Sequence, residues 1–596
     1  MRKTLITTLL FVTLGVASPF AQEAADTVAP EAATAVGAVL SNPAIAAALE
    51  DKSSGVPVMA PNWMISAANP HAVQAGADVL RAGGSAADAM VAVQTVLGLV
   101  EPQSSGLGGG AFLVWYDGAT GALTTLDGRE TAPLAATPSL FQDDTGKPMK
   151  FFDAVVGGRS VGTPATPALL AEAHRRWGRS EWSTLFETGI TLAENGFVVS
   201  PRLAGLVGFD AERLARHPAT AAYFLPGGSP VQAGDLLRNP DYADSLRQLA
   251  LHGEGAFYGD PVAADIVATV QSADNPGLLS VIDMSIYQVK ERAPVCVPYR
   301  VYEVCGMGPP SSGALTVGQI LGMLDHYDLA ALGPGSAEAW RLIGDASRLA
   351  FADRGRFMAD EDFVPMPTKG LVAADYLAER ARLLASDDAL PQVAPGEPEW
   401  DHATLWADDE SIELPSTSHI SIVDQYGNAM SMTTTIENAF GSRLMVRGFL
   451  LNNELTDFSF RTHRDGVPIA NRLEPGKRPR SSMAPTIVLK DGKPVLVIGS
   501  PGGSRIIGYV AKTIIAWADW GMDVQQAVSL GHAVNRFGRY DVEAGTDAAA
   551  LAPALEAMGF EVRESGLNSG LHAIEIAPDG LQGGADPRRE GIALGG

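Results

Sequence analysis

Two threonines at the mouth of one hairpin are the residues of this chain best suited to covalent chemistry. In SIELPSTSHISIVDQYGNAMSMTTTIENAFGS, Ile420 and Ile422 alternate with polar neighbours after Thr417, and Met430 and Met432 do the same ahead of Thr435, which predicts two half-buried strands. Asp424 and Asn428 bracket Gln425, Tyr426 and Gly427, a three-residue loop with glycine at the place that needs a left-handed backbone. Pairing Asp424 with Asn428 fixes the register and sets Thr417 opposite Thr435, about 5 Å away as a cross-strand neighbour. Threonine is also a favoured strand residue, so the pair alone is compatible with a structural role. The stretch from Leu390 to Pro415 is acidic and punctuated by proline, and it reads as a flexible, exposed segment running directly into Ser416 and Thr417. A cut between those two would free the α-amine of Thr417, and an amine with a pKa of about 8 can take the proton of its own residue's hydroxyl. Nucleophile and base then belong to one residue. His419, two places on along the same strand face, is left to packing or hydrogen bonding.

Attack on an amide also needs amide N–H groups aimed at the developing oxyanion. In TIVLKDGKPVLVIGSPGGSRIIGYVAKTIIAWA, a hairpin turning at Asp491-Gly492 leads into a Gly-rich loop and a helical pattern from near Ser504. Gly502 and Gly503 therefore present bare amides at a helix N-terminus. The glycines at 106, 108, 109 and 110 precede a strand rather than a helix, so they are no dinucleotide fingerprint. The 10 histidines lack metal-ligand spacing, and neither a metal nor a cofactor is expected. The two cysteines, Cys296 and Cys305, sit symmetrically about a turn in APVCVPYRVYEVCGMGPP, where an antiparallel hairpin would face them as a disulfide or as two buried thiols.

These groups need a scaffold. HAVQAGADVLRAGG predicts a helix stopped at Gly83-Gly84, Ser85 with Asp88 forms a capping box for a second helix running into Leu97, and AFLVWYDGATGALTTLD predicts a strand pair. Such runs of helices and strands indicate a layered domain. At the N-terminus, Arg2 and Lys3 precede an apolar run and small residues, a secretory signal over 1–21. An Ala-rich tether over 22–55 follows, and the ordered body is expected from near Val56. No later stretch suits a membrane span. A net charge of -25 argues against a nucleic-acid partner.

TSHISIVDQYGNAMSMTTTIENAFGS resembles the start of the small subunit of γ-glutamyltransferases, which are N-terminal-nucleophile hydrolases. ANPHAVQAGADVLRAGGSAADAMVA, EPQSSGLGGGAFLVWYD, LDGRETAP, GGRSVGTPAT, GPPSSGALT, FADRGRFMADEDFV, LLNNELTDFS, KRPRSSMAPTIV, GSPGGSRII and GGADPRREG follow in family order. The resemblance implies an α+β fold, a four-layer αββα sandwich built from a large subunit, 56–416, and a small subunit, 417–596, cut from one precursor and kept as a heterodimer. It implies a γ-glutamyl-Thr417 ester, an oxyanion hole at Gly502 and Gly503, and a donor carboxylate held by Arg129, Ser481 and Ser482. The donor ammonium would meet Asp457, with Glu454 and Glu437 nearby; many relatives carry Asn at the last position. Substrates would be glutathione and other γ-glutamyl compounds, with water or amino acid and peptide acceptors, handled by a periplasmic or secreted enzyme. The segment between Asp457 and Ser481 is short beside relatives with a lid, which predicts an open cleft and tolerance of bulky donors. The alternatives are a β-lactam side-chain (glutaryl) acylase of the same fold and an uncleaved, inactive exported binding protein.

Overall fold

A computed structural model of the continuous chain describes residues 42–596 except 403, 410 and 412. The expected signal, 1–21, lies outside the described residues. Part of the expected tether does not behave as one: Pro43–Ser53 is an α-helix started by the Asn42 side chain, with Ile45 and Ala48 buried against the core. The Lys52 Nζ ties this helix to the backbone carbonyls of Arg589 and Gly591. An Ala-rich stretch without aromatics can still bury a narrow stripe of one helical face.

Two seven-stranded antiparallel sheets lie face to face. The first runs, by residue range, 592–595, 64–67, 418–423, 429–435, 110–116, 123–128, 290–292. The second runs 58–60, 580–585, 572–577, 493–499, 486–490, 302–306, 295–299. Both sheets thus contain strands from either side of residue 417.

Helices close the outer faces. Pro70–Arg81 and Ala86–Val100 pack on Ile65, Leu113, Ile420, Ile422, Met430 and Met432 of the first sheet. The Ser85 and Asp88 capping box at the second of these helices is formed as expected. Gly313–Leu324, Ala337–Phe357 and Ile506–Ala518 pack on Val297, Val488, Leu496 and Ile498 of the second sheet. A third apolar layer, with Met64, Val114, Val423, Ile487, Val497 and Ile574, fills the space between the sheets. This is the expected αββα sandwich.

The hairpin register is the one the loop residues dictate: Ser418 pairs with Thr434 and Val423 with Ala429, Asp424 N–H bonds to the Asn428 carbonyl, and Gly427 has φ of 80°. The strands are not half-buried, however; both are buried on both faces. The polar face meets the second sheet, where the Ser421 and Ser431 hydroxyls donate to the carbonyls of His572 and Ile498. His419 lies in the same layer, bonded to Thr433 and Ser421. Cys296 and Cys305 face one another across the 295–299 and 302–306 strands and form a disulfide.

Candidate active site

Thr417 sits at the point where the chain enters the first sheet, 3% exposed. Its hydroxyl contacts the carbonyl oxygen of Ser416, the carbonyl of the bond expected to be cut. Thr435 Oγ1 is 3.4 Å from both the Thr417 hydroxyl and that same carbonyl. Thr435 Oγ1 in turn accepts the Glu437 N–H at 2.8 Å. The Thr417 carbonyl accepts from Arg589 at 3.0 Å, and the Ser416 hydroxyl donates to the Gln103 carbonyl at 2.7 Å. The bond is therefore clamped on both sides, with hydroxyls directed at its carbonyl.

Arg129 follows the 123–128 strand and is buried. Its guanidinium bonds through Nη1 to Glu454, through Nη2 to Asp457 at 2.5 Å and to the Arg480 carbonyl, and through Nε to the Pro479 carbonyl, four of its five N–H groups. Glu454 and Asp457 share one short 3₁₀ turn, Glu454–Asp457. Burial pushes the carboxyls of Glu437, Glu454 and Asp457 well above the usual range; Arg129 opposes this for all three, and Asn453, which donates to Glu437, opposes it there. Glu437 holds φ of 74°, a backbone conformation that non-glycine residues keep only where their surroundings demand it. Ser481 and Ser482 complete this side; the Ser481 hydroxyl accepts the Met483 N–H and Ser482 accepts from Arg354 at 2.8 Å.

One small cavity of about 20 Å³ joins Thr417, Thr435, Arg129, Glu437, Glu454, Asp457, Ser481, Ser482 and Gly503. Gly502 is the one expected site residue that does not line it. The cleft is not open, because Glu413, Leu414 and Ser416 form part of its wall. The Glu413 carbonyl accepts the Ser504 N–H at 3.3 Å, and a side chain on Gly503 would meet that carbonyl at 2.5 Å. The stretch before Thr417 is correspondingly not an exposed tether. Trp406, Asp409, Glu413 and Ser416 are buried, and the Ala407 N–H bonds to the Pro468 carbonyl at 2.9 Å.

Sequence reasoning missed Arg354 and Glu413. Arg354, on the 337–357 helix, bonds to Ser312, to Ser482 and to the Glu413 carboxylate. Burial, with Arg480 adding to it, lowers its pKa to about 10. Only the motif FADRGRF drew notice to this helix, and nothing local in it indicates a partner 59 residues away.

Residues 72–596 match the family model described as Gamma-glutamyltranspeptidase. The chain belongs to the gamma-glutamyltranspeptidase family. A glutathione hydrolase proenzyme of Bacillus subtilis (strain 168) is 38% identical over 545 residues, which cover 89% of this chain and 91% of the relative. An Acylase ACY 1 proenzyme of Pseudomonas sp. (strain V22) is 35% identical over 548 residues, 90% of this chain and 94% of the relative. Among solved structures, a cephalosporin acylase from Bacillus halodurans superposes with a TM-score of 0.80 at 25% identity, covering 91% of this chain and 97% of its own. Gamma-glutamyltranspeptidase-family membership makes the chain an enzyme of the N-terminal-nucleophile fold.

Proposed function

We propose that the chain cuts itself between Ser416 and Thr417 and then removes the γ-glutamyl group from glutathione and related amides. The observation that carries this reading is the contact of the Thr417 hydroxyl with the Ser416 carbonyl, beside Thr435 and within one cavity of Arg129 and Asp457. Attack by Thr417 Oγ1 on the Ser416 carbonyl carbon forms a C–O bond. The C–N bond breaks as the nitrogen takes the hydroxyl proton, and water then hydrolyses the ester, leaving Ser416 as a carboxylate and Thr417 with a free amine. That amine accepts the hydroxyl proton in the second reaction, in which Thr417 attacks the donor's γ-carbonyl and the leaving amine takes the proton. Water or an acceptor amine resolves the γ-glutamyl ester.

Arg129 with Ser481 and Ser482 would hold the donor's α-carboxylate, and Asp457 with Glu454 and Glu437 its ammonium, placing the γ-carbonyl by remote binding. Gly503, with Gly502 beside it, would serve the oxyanion once the 413–416 segment has left the cavity. Several acids around one arginine suit a zwitterionic donor better than a glutaryl group, which has no ammonium; this favours the γ-glutamyl reading over the acylase. Once the 413–416 segment has left the cleft, the short 458–480 segment supports tolerance of γ-linked oligoglutamates and glutamine-like anilides, and a kinetic screen with strict preference for glutathione would refute that part. The two cut pieces remain together as a heterodimer, exported to the periplasm or beyond; the disulfide suits that compartment. On a denaturing gel the purified protein should run as two bands, the smaller starting at Thr417, with glutamate released from a γ-glutamyl anilide. Thr417→Ala should run as one band and release none; two bands from that variant would overturn the mechanism.

A further inference from the structure

The segment ahead of Thr417 brings a carboxylate of its own into the cavity. In the reaction sequence above, Thr417 attacks first the Ser416 carbonyl and then the donor's γ-carbonyl. Residues on the acyl side of Ser416 and the acyl part of the donor therefore use the same half of the cavity in turn. Glu413 lines that cavity together with Ser482. Its carboxylate bonds to Arg354 Nη2, and the same nitrogen donates to the Ser482 hydroxyl at 2.8 Å. One nitrogen thus meets both a carboxylate and a serine assigned to the donor's carboxylate.

This guanidinium is built to stay when the segment goes. Arg354 Nε donates to the Ser312 hydroxyl at 2.8 Å, and that hydroxyl donates to the Ser481 carbonyl at 2.7 Å. Arg354, Ser312, Ser481 and Ser482 are all buried, and none belongs to the 413–416 segment. Glu413 is the one carboxylate that Arg354 bonds among the described residues. Its departure leaves a buried cation beside two hydroxyls, a costly state until another anion arrives. Arg480 adds to the demand: its Nε lies 4.0 Å from the same Glu413 oxygen and has no hydrogen-bond partner among the described residues. Arg129 is in the opposite position. Its two carboxylates, Glu454 and Asp457, follow residue 417 in the chain and remain, so a donor carboxylate held there alone would be a third anion on one cation.

We propose that Glu413 keeps the place of the donor's α-carboxylate in the uncut chain, and that Arg354 binds that carboxylate beside Ser482 once the segment has left. The inference rests on the γ-glutamyl reading above and adds a second arginine to it. Arg129 then sets the geometry of Glu454 and Asp457 with one N–H to spare, while Arg354 supplies the charge that the donor's carboxylate neutralises.

The test compares wild type and Arg354→Gln on γ-glutamyl and 4-aminobutyryl anilides; the second keeps the ammonium and the scissile amide and lacks only the α-carboxylate. The variant should lose kcat/KM for the γ-glutamyl anilide about tenfold or more beyond what it loses for the other, with the excess in KM. Equal losses on both, the mark of a merely structural arginine, would overturn the proposal. A second readout needs no turnover and no cut. In uncut Thr417→Ala protein, Glu413→Ala opens a space that acetate fits, so about 0.1 M sodium acetate should raise the unfolding midpoint by about 1 °C or more over equal sodium chloride. Adding Arg354→Gln should abolish that rise. No rise, or one that survives the loss of Arg354, would overturn the proposal. Wild type that cuts itself but cleaves neither anilide sinks the γ-glutamyl reading instead, with the acetate result left to decide on the carboxylate's place.

Discussion

At the scale of single residues, the site is a problem of placing charge out of water. Arg129 spans Glu454, Asp457 and two backbone carbonyls with one planar fork, a set that the single ammonium of lysine cannot reach together. Arg129→Lys should leave two bands on a gel while lowering kcat/KM for a γ-glutamyl anilide by about 100-fold, roughly 3 kcal/mol of lost donor recognition. Residue type and position alone pointed to Thr417 ahead of a strand and to Gly502 and Gly503 ahead of a helix, whereas Arg129 was indicated only by the family motif around it. The resemblance to a family then supplied the partners. Arg354 and Glu413 could not be read in this way, because their meaning comes from a pairing that only the folded chain creates.

At the scale of elements, the hairpin around Gly427 was legible down to its register, because a three-residue loop leaves one pairing open to the strands it joins. Its burial was misjudged for a physical reason. Alternation of apolar and polar residues ordinarily marks a wet face, but here the serines, threonines and His419 meet a second sheet whose carbonyls satisfy them. The proline-rich stretch before Thr417 was misjudged similarly: lacking periodicity, it still buries Trp406 and Asp409. The second hairpin, 295–306, lies at the edge of its sheet, and its disulfide closes a separation of 9 residues. Changing both cysteines to alanine should lower stability by about 2 to 3 kcal/mol in a urea titration while the folded enzyme keeps its kcat. A midpoint equal to wild type would mean that the edge is held by its ladder alone.

At the scale of the whole molecule, the layer between the sheets carries a pH sensitivity of its own. His572 is buried there, with Nδ1 against the Ser66 hydroxyl, and burial lowers its pKa to about 3, an effect that Asp586 opposes. As pH falls below 6.5 the unfolded chain takes up a proton that the folded one refuses, so stability is lost with acid between 6.5 and about 3. The slope is about 1.4 kcal/mol per pH unit for this one group. His572→Gln should therefore gain on wild type by about 2 to 3 kcal/mol between pH 6.5 and 4.5 in paired urea titrations, a comparison in which the raised carboxyls near Arg129 cancel. Equal slopes would remove the histidine from this role. The mixing of strands from both sides of residue 417 has a different consequence. Since 64–67 is hydrogen-bonded on one side to 592–595 and on the other to 418–423, a nick ahead of Thr417 severs the chain without creating two bodies that can part. Isotope-labelled and unlabelled mature protein, mixed and diluted to nanomolar concentration, should never trade halves short of global denaturation.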